Sequence, residues 1–192
     1  MREGIRPVGI GLVLGMLSLF FGIFWAIYLV AGHEQIHKTL EQSKRPAMEE
    51  KISPPETQDG HSHNHSRADE AAVGSEGQMP THEDPAIGEA HEMLTRGHIH
   101  EMGLGMLAIA ISVVLSMLFI PDWLKTIASA CAGVGGLFYP VAWIVMGFRA
   151  PAIGMEAADK SVMPIAGFGI ALVLIGLAIT FFGTLKTVLT RR

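Results

Sequence analysis

Four long stretches of this chain hold no Asp, Glu, Lys, Arg or His: Val8 to Gly32, Met102 to Pro121, Thr126 to Phe148 and Ser161 to Leu185. A hydrocarbon core about 30 Å thick takes about 20 apolar residues in a helix rising about 1.5 Å per residue, and every one of these stretches is that long. No water is available inside a bilayer to satisfy backbone N–H and C=O groups, so each stretch must bond within itself as helix. A soluble alternative would need amphipathic segments to cover several helices that are hydrophobic all round, and the chain has too few. Charge usage agrees, because 17% of the 192 residues are charged against about 25% in ordinary soluble domains. The expected fold is an all-α membrane protein with transmembrane helices over 8–32, 102–121, 126–148 and 161–185.

The first stretch follows Arg2 and Arg6, as a signal peptide's apolar core would. It is much longer than the roughly 7–15 residues of such a core. Its exit at Leu29-Val30-Ala31 also lacks a small residue three before the cut. An uncleaved helix is therefore expected. The lone cysteine, Cys131, falls inside the third stretch, permits no intrachain disulfide and reads as a small apolar filler.

Orientation follows from the short connections. Residues 1–7, the turn 122–125 and the tail 186–192 share a side if there are four spans, and together they hold six Lys and Arg. The short loop on the other side holds Arg149 and Lys160, offset by Glu156 and Asp159. The positive-inside rule counts short loops and discounts those beyond about 60 residues. Both termini are expected to be cytoplasmic, with 33–101 exterior: periplasmic, if the membrane is the inner membrane of a bacterium.

That exterior segment carries fourteen acids and six Lys or Arg, a formal −8. Such charge excludes nucleic acid as a partner, since phosphate backbones select basic surfaces, and it suits cations. From His33 to about Glu50 the pattern continues the first helix; 51–83, with Pro54-Pro55, Gly60 and several Ser, reads as disordered. Asp84-Pro85 is a good helix start, so 85–101 is expected to be a helical lead-in to the second span. Gly11 and Gly15 form a GxxxG pattern, and Ser129 to Gly133 offers a similarly smooth face. Close helix contact is expected there, inside the bundle or with a membrane partner or second copy. Pro140 removes a backbone hydrogen bond and is expected to kink the third span.

All nine histidines lie between residues 33 and 100. His33 and His37, at i,i+4, share a helix face where the first span ends; His91, His98 and His100 precede the second span, with Met102 and Met106 continuing the face of His98. Both helix ends meet the same membrane surface, so these imidazoles are held at similar depth. Neutral imidazoles ligate Zn²⁺, copper or haem iron, and thioethers favour Cu(I). His33, His37, His91, His98, His100 and Met102 are therefore the candidate metal ligands, and His33, His37, His98 and His100 the candidate haem ligands. His61, His63 and His65 form a looser HxHxH run, and His82 follows. Such a run could collect Zn²⁺, Ni²⁺, Co²⁺ or Cu²⁺. Mild acidification would protonate the imidazoles and release a ligated metal.

The run His98-Ile99-His100-Glu101-Met102-Gly103-Leu104-Gly105 resembles a helix start found in some bacterial membrane proteins related to the haem-copper oxidases. The resemblance covers eight residues and implies a haem or copper ligand. The rest of the chain has none of the interior histidines of an oxidase core, so no family is assigned from it.

None of the four charge-free spans offers the mid-membrane ionisable group that pumps and ion transporters keep. There is no P-loop, GxSxG or HExxH motif, and no nucleophile paired with a base, so an enzyme ranks last. Three functions are expected in this order. The first is a membrane subunit that binds a transition metal or one b-type haem at the outer histidines and serves electron transfer or metal handling beside a larger partner. The second is a structural or assembly subunit with incidental histidines, and the third an accessory protein for transition-metal transport.

Overall fold

The computed structural model describes residues 6–52 and 85–190. Of the segment expected to be disordered, Lys51 and Ile52 are helical instead, and 53–83, with His61, His63, His65 and His82, lie outside the described residues, as does Arg2. After a 3-10 turn at Arg6–Val8 come α1 (Gly9–Ala31), α2 (His33–Ile52), α3 (Pro85–Met117), α4 (Asp122–Ile153) and α5 (Met155–Thr190), with no strand among the described residues. Arg6–Ala31, α3, α4 and α5 are long and apolar enough to cross a membrane. The chain is a multi-pass helical membrane protein, as its charge-free stretches predict.

Its helices put small side chains inside and large ones outside. α1 buries Gly11, Gly15, Ser18 and Gly22, spaced so that they share one face. Val13, Phe20, Phe24 and Val30 point outward, each more than half exposed. Lipid solvates those large side chains, so the helices associate by close packing rather than by hiding apolar area. A Cβ added at Gly11 would sit 2.5 Å from Ser112 Oγ and 2.6 Å from the Ser129 carbonyl oxygen. One added at Gly15 would sit 3.0 Å from the Gly105 carbonyl oxygen, and one at Gly105 3.1 Å from that of Gly15. The GxxxG face is thus consumed inside the bundle, where α1 meets α3 and α4.

The central helix is α4. A Cβ at Gly133 would meet Leu14 of α1 at 2.7 Å, and one at Gly135 would meet the Gly169 carbonyl oxygen of α5 at 2.5 Å. Within the smooth face seen in the sequence at 129–133, Ser129 and Gly133 meet α1 and Ala132 meets Gly176 of α5, the helix that Gly135 also meets. α4 runs on as a helix through Pro140 and Pro151, both buried.

The connection from α4 to α5 is shorter than the charged loop suggested by the sequence. It is Gly154 alone, with φ 81° and ψ 155°, a backbone region that is essentially reserved for glycine. Arg149, Glu156, Asp159 and Lys160 stand on helix ends instead of a loop, with Lys160 paired to Glu156 one turn away at 2.7 Å.

At the same end, Gly32 joins α1 to α2. α2 is mostly polar, yet Ile36 and Leu40 are fully buried against Ile87, Ala90 and Leu94 of α3 and Ile144 of α4. Those two side chains anchor a polar helix over the end of the bundle. α3 begins at Pro85, the position where a missing N–H costs nothing; Asp84 lies outside the described residues.

The α1–α3 backbone contact predicts a sharp asymmetry between two glycines. Gly15→Leu should destabilise the bundle by about 1–3 kcal/mol through overpacking, read as a lowered thermal unfolding temperature in detergent. Gly103→Leu, where an added Cβ meets nothing within 4 Å, should leave that temperature nearly unchanged.

Candidate functional site

The Gly15–Gly105 contact fixes the antiparallel register of α1 against α3, and the residues beyond it pair in order. Ser18 meets Glu101. Gly22 meets His98, whose Nδ1 lies 2.9 Å from the Gly22 carbonyl oxygen. Trp25 Nε1 donates to the Leu94 carbonyl oxygen at 3.1 Å. At the top, His33 meets His91 with ring centroids 5.2 Å apart and planes at 86°. The aromatic rings of Trp25 and Tyr28 lie just below, 5.3 Å apart and tilted by 36°, at a level suited to a membrane interface.

The junction histidines divide three ways. His33, His37 and His91 gather at the end of the bundle, because i,i+4 spacing on α2 brings His37 within 5.4 Å of the His33 ring. His98 turns inward to the α1 backbone. His100 points to the other side of α3, with Tyr139 at 5.2 Å and Trp143 at 5.5 Å. Met102 packs its thioether at Gly22, where an added Cβ would lie 2.9 Å from Sδ. Among the described residues, no three His, Cys, Asp or Glu side chains form a ready-made metal-binding group. The expected convergence of helix ends therefore involves three histidines rather than five, and Met102 stands apart from them.

The residue that sequence reasoning missed is Glu101. It is fully buried. Ser18 Oγ donates to its Oε1 at 2.5 Å and also lies 3.2 Å from its carbonyl oxygen. Its Oε2 has no hydrogen-bond partner, and no ion pair involves it among the described residues. Ser18 stands nine residues beyond Gly9, roughly 14 Å along α1, near the middle of a core about 30 Å thick. Counting uncharged residues placed the edge of the second span just after Glu101, and so left every span without an ionisable group. Packing against α1 slides that edge outward and takes Glu101 and His98 into the bundle. The missed signal is periodicity: Glu101, Gly105, Ala108 and Ser112 share one face of α3, and all four are buried.

The neighbouring turn of α4 adds a second polar feature. Pro140 has no N–H, so the Gly136 carbonyl oxygen lacks its usual helical donor. An added Cβ at Gly97 would lie 3.4 Å from the Pro140 carbonyl oxygen, and one at Gly136 would lie 3.5 Å from Leu104. Those contacts bracket Glu101 along α3. A lone carboxyl group in such a place is costly and is ordinarily kept for chemistry.

Glu101→Gln keeps the shape and a hydrogen-bonding partner for Ser18 while removing the ionisable group. Folding stability in detergent should stay level or rise by on the order of 1 kcal/mol. A fall in unfolding temperature as large as that of Gly15→Leu would instead make Glu101 a structural keystone. Comparison of the chain with family models, curated proteins and solved structures finds no match.

Proposed function

We propose that this membrane protein binds a transition-metal ion at its exterior end through His33, His37 and His91, and handles that ion beside a membrane partner. The observation that carries the reading is the mutual contact of His33 with His37 at 5.4 Å and with His91 at 5.2 Å. Two imidazoles on one tetrahedral ion, with metal–nitrogen bonds of about 2.0–2.1 Å, have ring centroids roughly 5 Å apart. Rotation of the rings would turn their nitrogens toward a common ion. The −8 formal charge of 33–101 raises the local concentration of cations. Arg6, Lys125 and Lys186 stand at the opposite end, which supports an exterior, periplasmic placement for the histidines in a bacterial inner membrane.

A b-type haem fits this arrangement less well than a bare ion. A macrocycle needs a slot between its axial imidazoles, and these rings touch one another instead. The assembly-subunit reading loses its main support, because the small-residue faces that would recruit a partner are occupied within the bundle. A second reading, a part in cation transport, is favoured by Glu101: a buried carboxyl beside Ser18 is what a transporter places at mid-depth.

The test is metal analysis of the full chain purified in detergent and titrated with Zn²⁺, Cu²⁺, Ni²⁺ and Co²⁺. The triple variant His33→Ala, His37→Ala, His91→Ala should lose one tightly held ion, and acidification should release that ion from the unaltered chain, since a protonated imidazole cannot ligate. Deleting 60–66 should weaken capture and spare membrane insertion. Equal metal content in the triple variant and the unaltered chain would remove the reading.

A further inference from the structure

His91 and Met93 are two residues apart on α3 and so lie on nearly opposite sides of it. The side away from the histidines has its own constellation. Met93 of α3, Met146 of α4 and Met155 of α5 line one open cavity of about 450 Å³, together with Trp143, Glu156 and Asp159. Met93 and Met146 belong to one buried cluster, and Met155 packs against it.

A methionine often does no more than fill a gap in a core. The distribution of methionines in this chain is more specific. Met93 and Met146, 8% and 5% exposed, are the only buried methionines among the described residues, and both face this cavity. Met16, Met106, Met117 and Met163 lie on the outside of the bundle, each more than half exposed. Elsewhere the fully buried positions are held mainly by Gly, Ala, Ser and branched side chains, and the half-buried Met102 at Gly22 is a single thioether. Here three helices each supply one thioether to the same space.

The chemistry of three neutral sulfur donors is selective. Zn²⁺, Ni²⁺ and Co²⁺ prefer nitrogen, oxygen or thiolate, whereas thioethers suit the soft, singly charged Cu(I) ion. The surrounding charges permit a cation. Arg96 borders the cavity, but its guanidinium is paired to Glu92 at 2.6 Å and lies 5.7 Å over the Trp143 ring. Lys160 is paired to Glu156 at 2.7 Å. With Asp159 counted, Glu92, Arg96, Glu156, Asp159 and Lys160 carry a formal −1 (three acids against two bases).

We propose that Met93, Met146 and Met155 form a three-thioether Cu(I) site between the ends of α3, α4 and α5, separate from the histidine trio and independent of it. The ion arrives and leaves as Cu(I), so no electron transfer is involved.

Load the full purified chain with less than one equivalent of Cu(I) under anaerobic, reducing conditions, and compete with a Cu(I)-specific chelator. Leucine preserves the volume of methionine closely, so Met93→Leu, Met146→Leu and Met155→Leu keep the packing and remove only sulfur. Each single change should weaken Cu(I) binding roughly tenfold or more, and the triple change should abolish the site with unfolding temperature retained. The His33→Ala, His37→Ala, His91→Ala variant should keep the ion, and so should the unaltered chain on mild acidification, because thioethers do not compete with protons. X-ray absorption of the unaltered, loaded chain should show sulfur ligands. A first shell of nitrogen and oxygen alone, or full Cu(I) affinity in the triple leucine variant, would overturn the proposal.

Discussion

The contact between the backbones of α1 and α3 at Gly15 and Gly105 determines the register of everything above it. Lipid removes the usual reward for hiding apolar surface, so helices in a membrane hold together where their backbones come close. Glycine and serine at positions 11, 15, 18 and 22 give α1 a face without bulk, and α3 answers with Gly105, Ala108 and Ser112. At that contact a Cβ added at Gly15 would sit 3.0 Å from the Gly105 carbonyl oxygen, and one at Gly105 3.1 Å from that of Gly15. Ser18 is then obliged to meet Glu101, and His33 to meet His91. The gathering of His33, His37 and His91 at the far end of the bundle is a consequence of close approach near its middle.

The same register decides how deep each polar group lies. α1 is the natural ruler, because it is uncharged from Val8 to Gly32. Measured along it, the histidine trio sits at the end, His98 partway down and Glu101 near the centre. The histidine trio at the end and the carboxyl group in the interior lie along one helix interface, that of α1 and α2 with α3. Ser18 supplies one hydrogen bond to the buried carboxyl, and among the described residues no cation pairs with it. Ser112, the other buried polar side chain on that face of α3, bonds to its own helix backbone instead.

Much of the fold could be read from the amino-acid order, because lipid imposes length and the absence of charge on each span. The four helices, the continuation of α1 into α2 and the close-packing role of Gly11 and Gly15 are all of that kind. Three features are out of reach for physical reasons. Composition puts the span edge at Met102 and Glu101 outside it, whereas depth is set by the partner helix. The division of the histidines depends on side-chain direction and on where α4 lies, and neither is contained in their spacing along α3. His100 facing Tyr139 and Trp143, rather than His91, is the clearest case. The one-residue turn at Gly154 was hidden by its charged neighbours, which resemble a loop until both flanking helices are seen to run to the glycine.

Disulfide trapping in the native membrane tests the register most directly. In a Cys131→Ser background with a protease site inserted at residue 70, His33→Cys and His91→Cys placed together should form a bond that keeps the two fragments joined after cleavage. His33→Cys with His100→Cys should not, since His100 faces the opposite side of α3. Separation of the fragments in the first pair, or equal joining in both, would contradict the packing from which the site is derived.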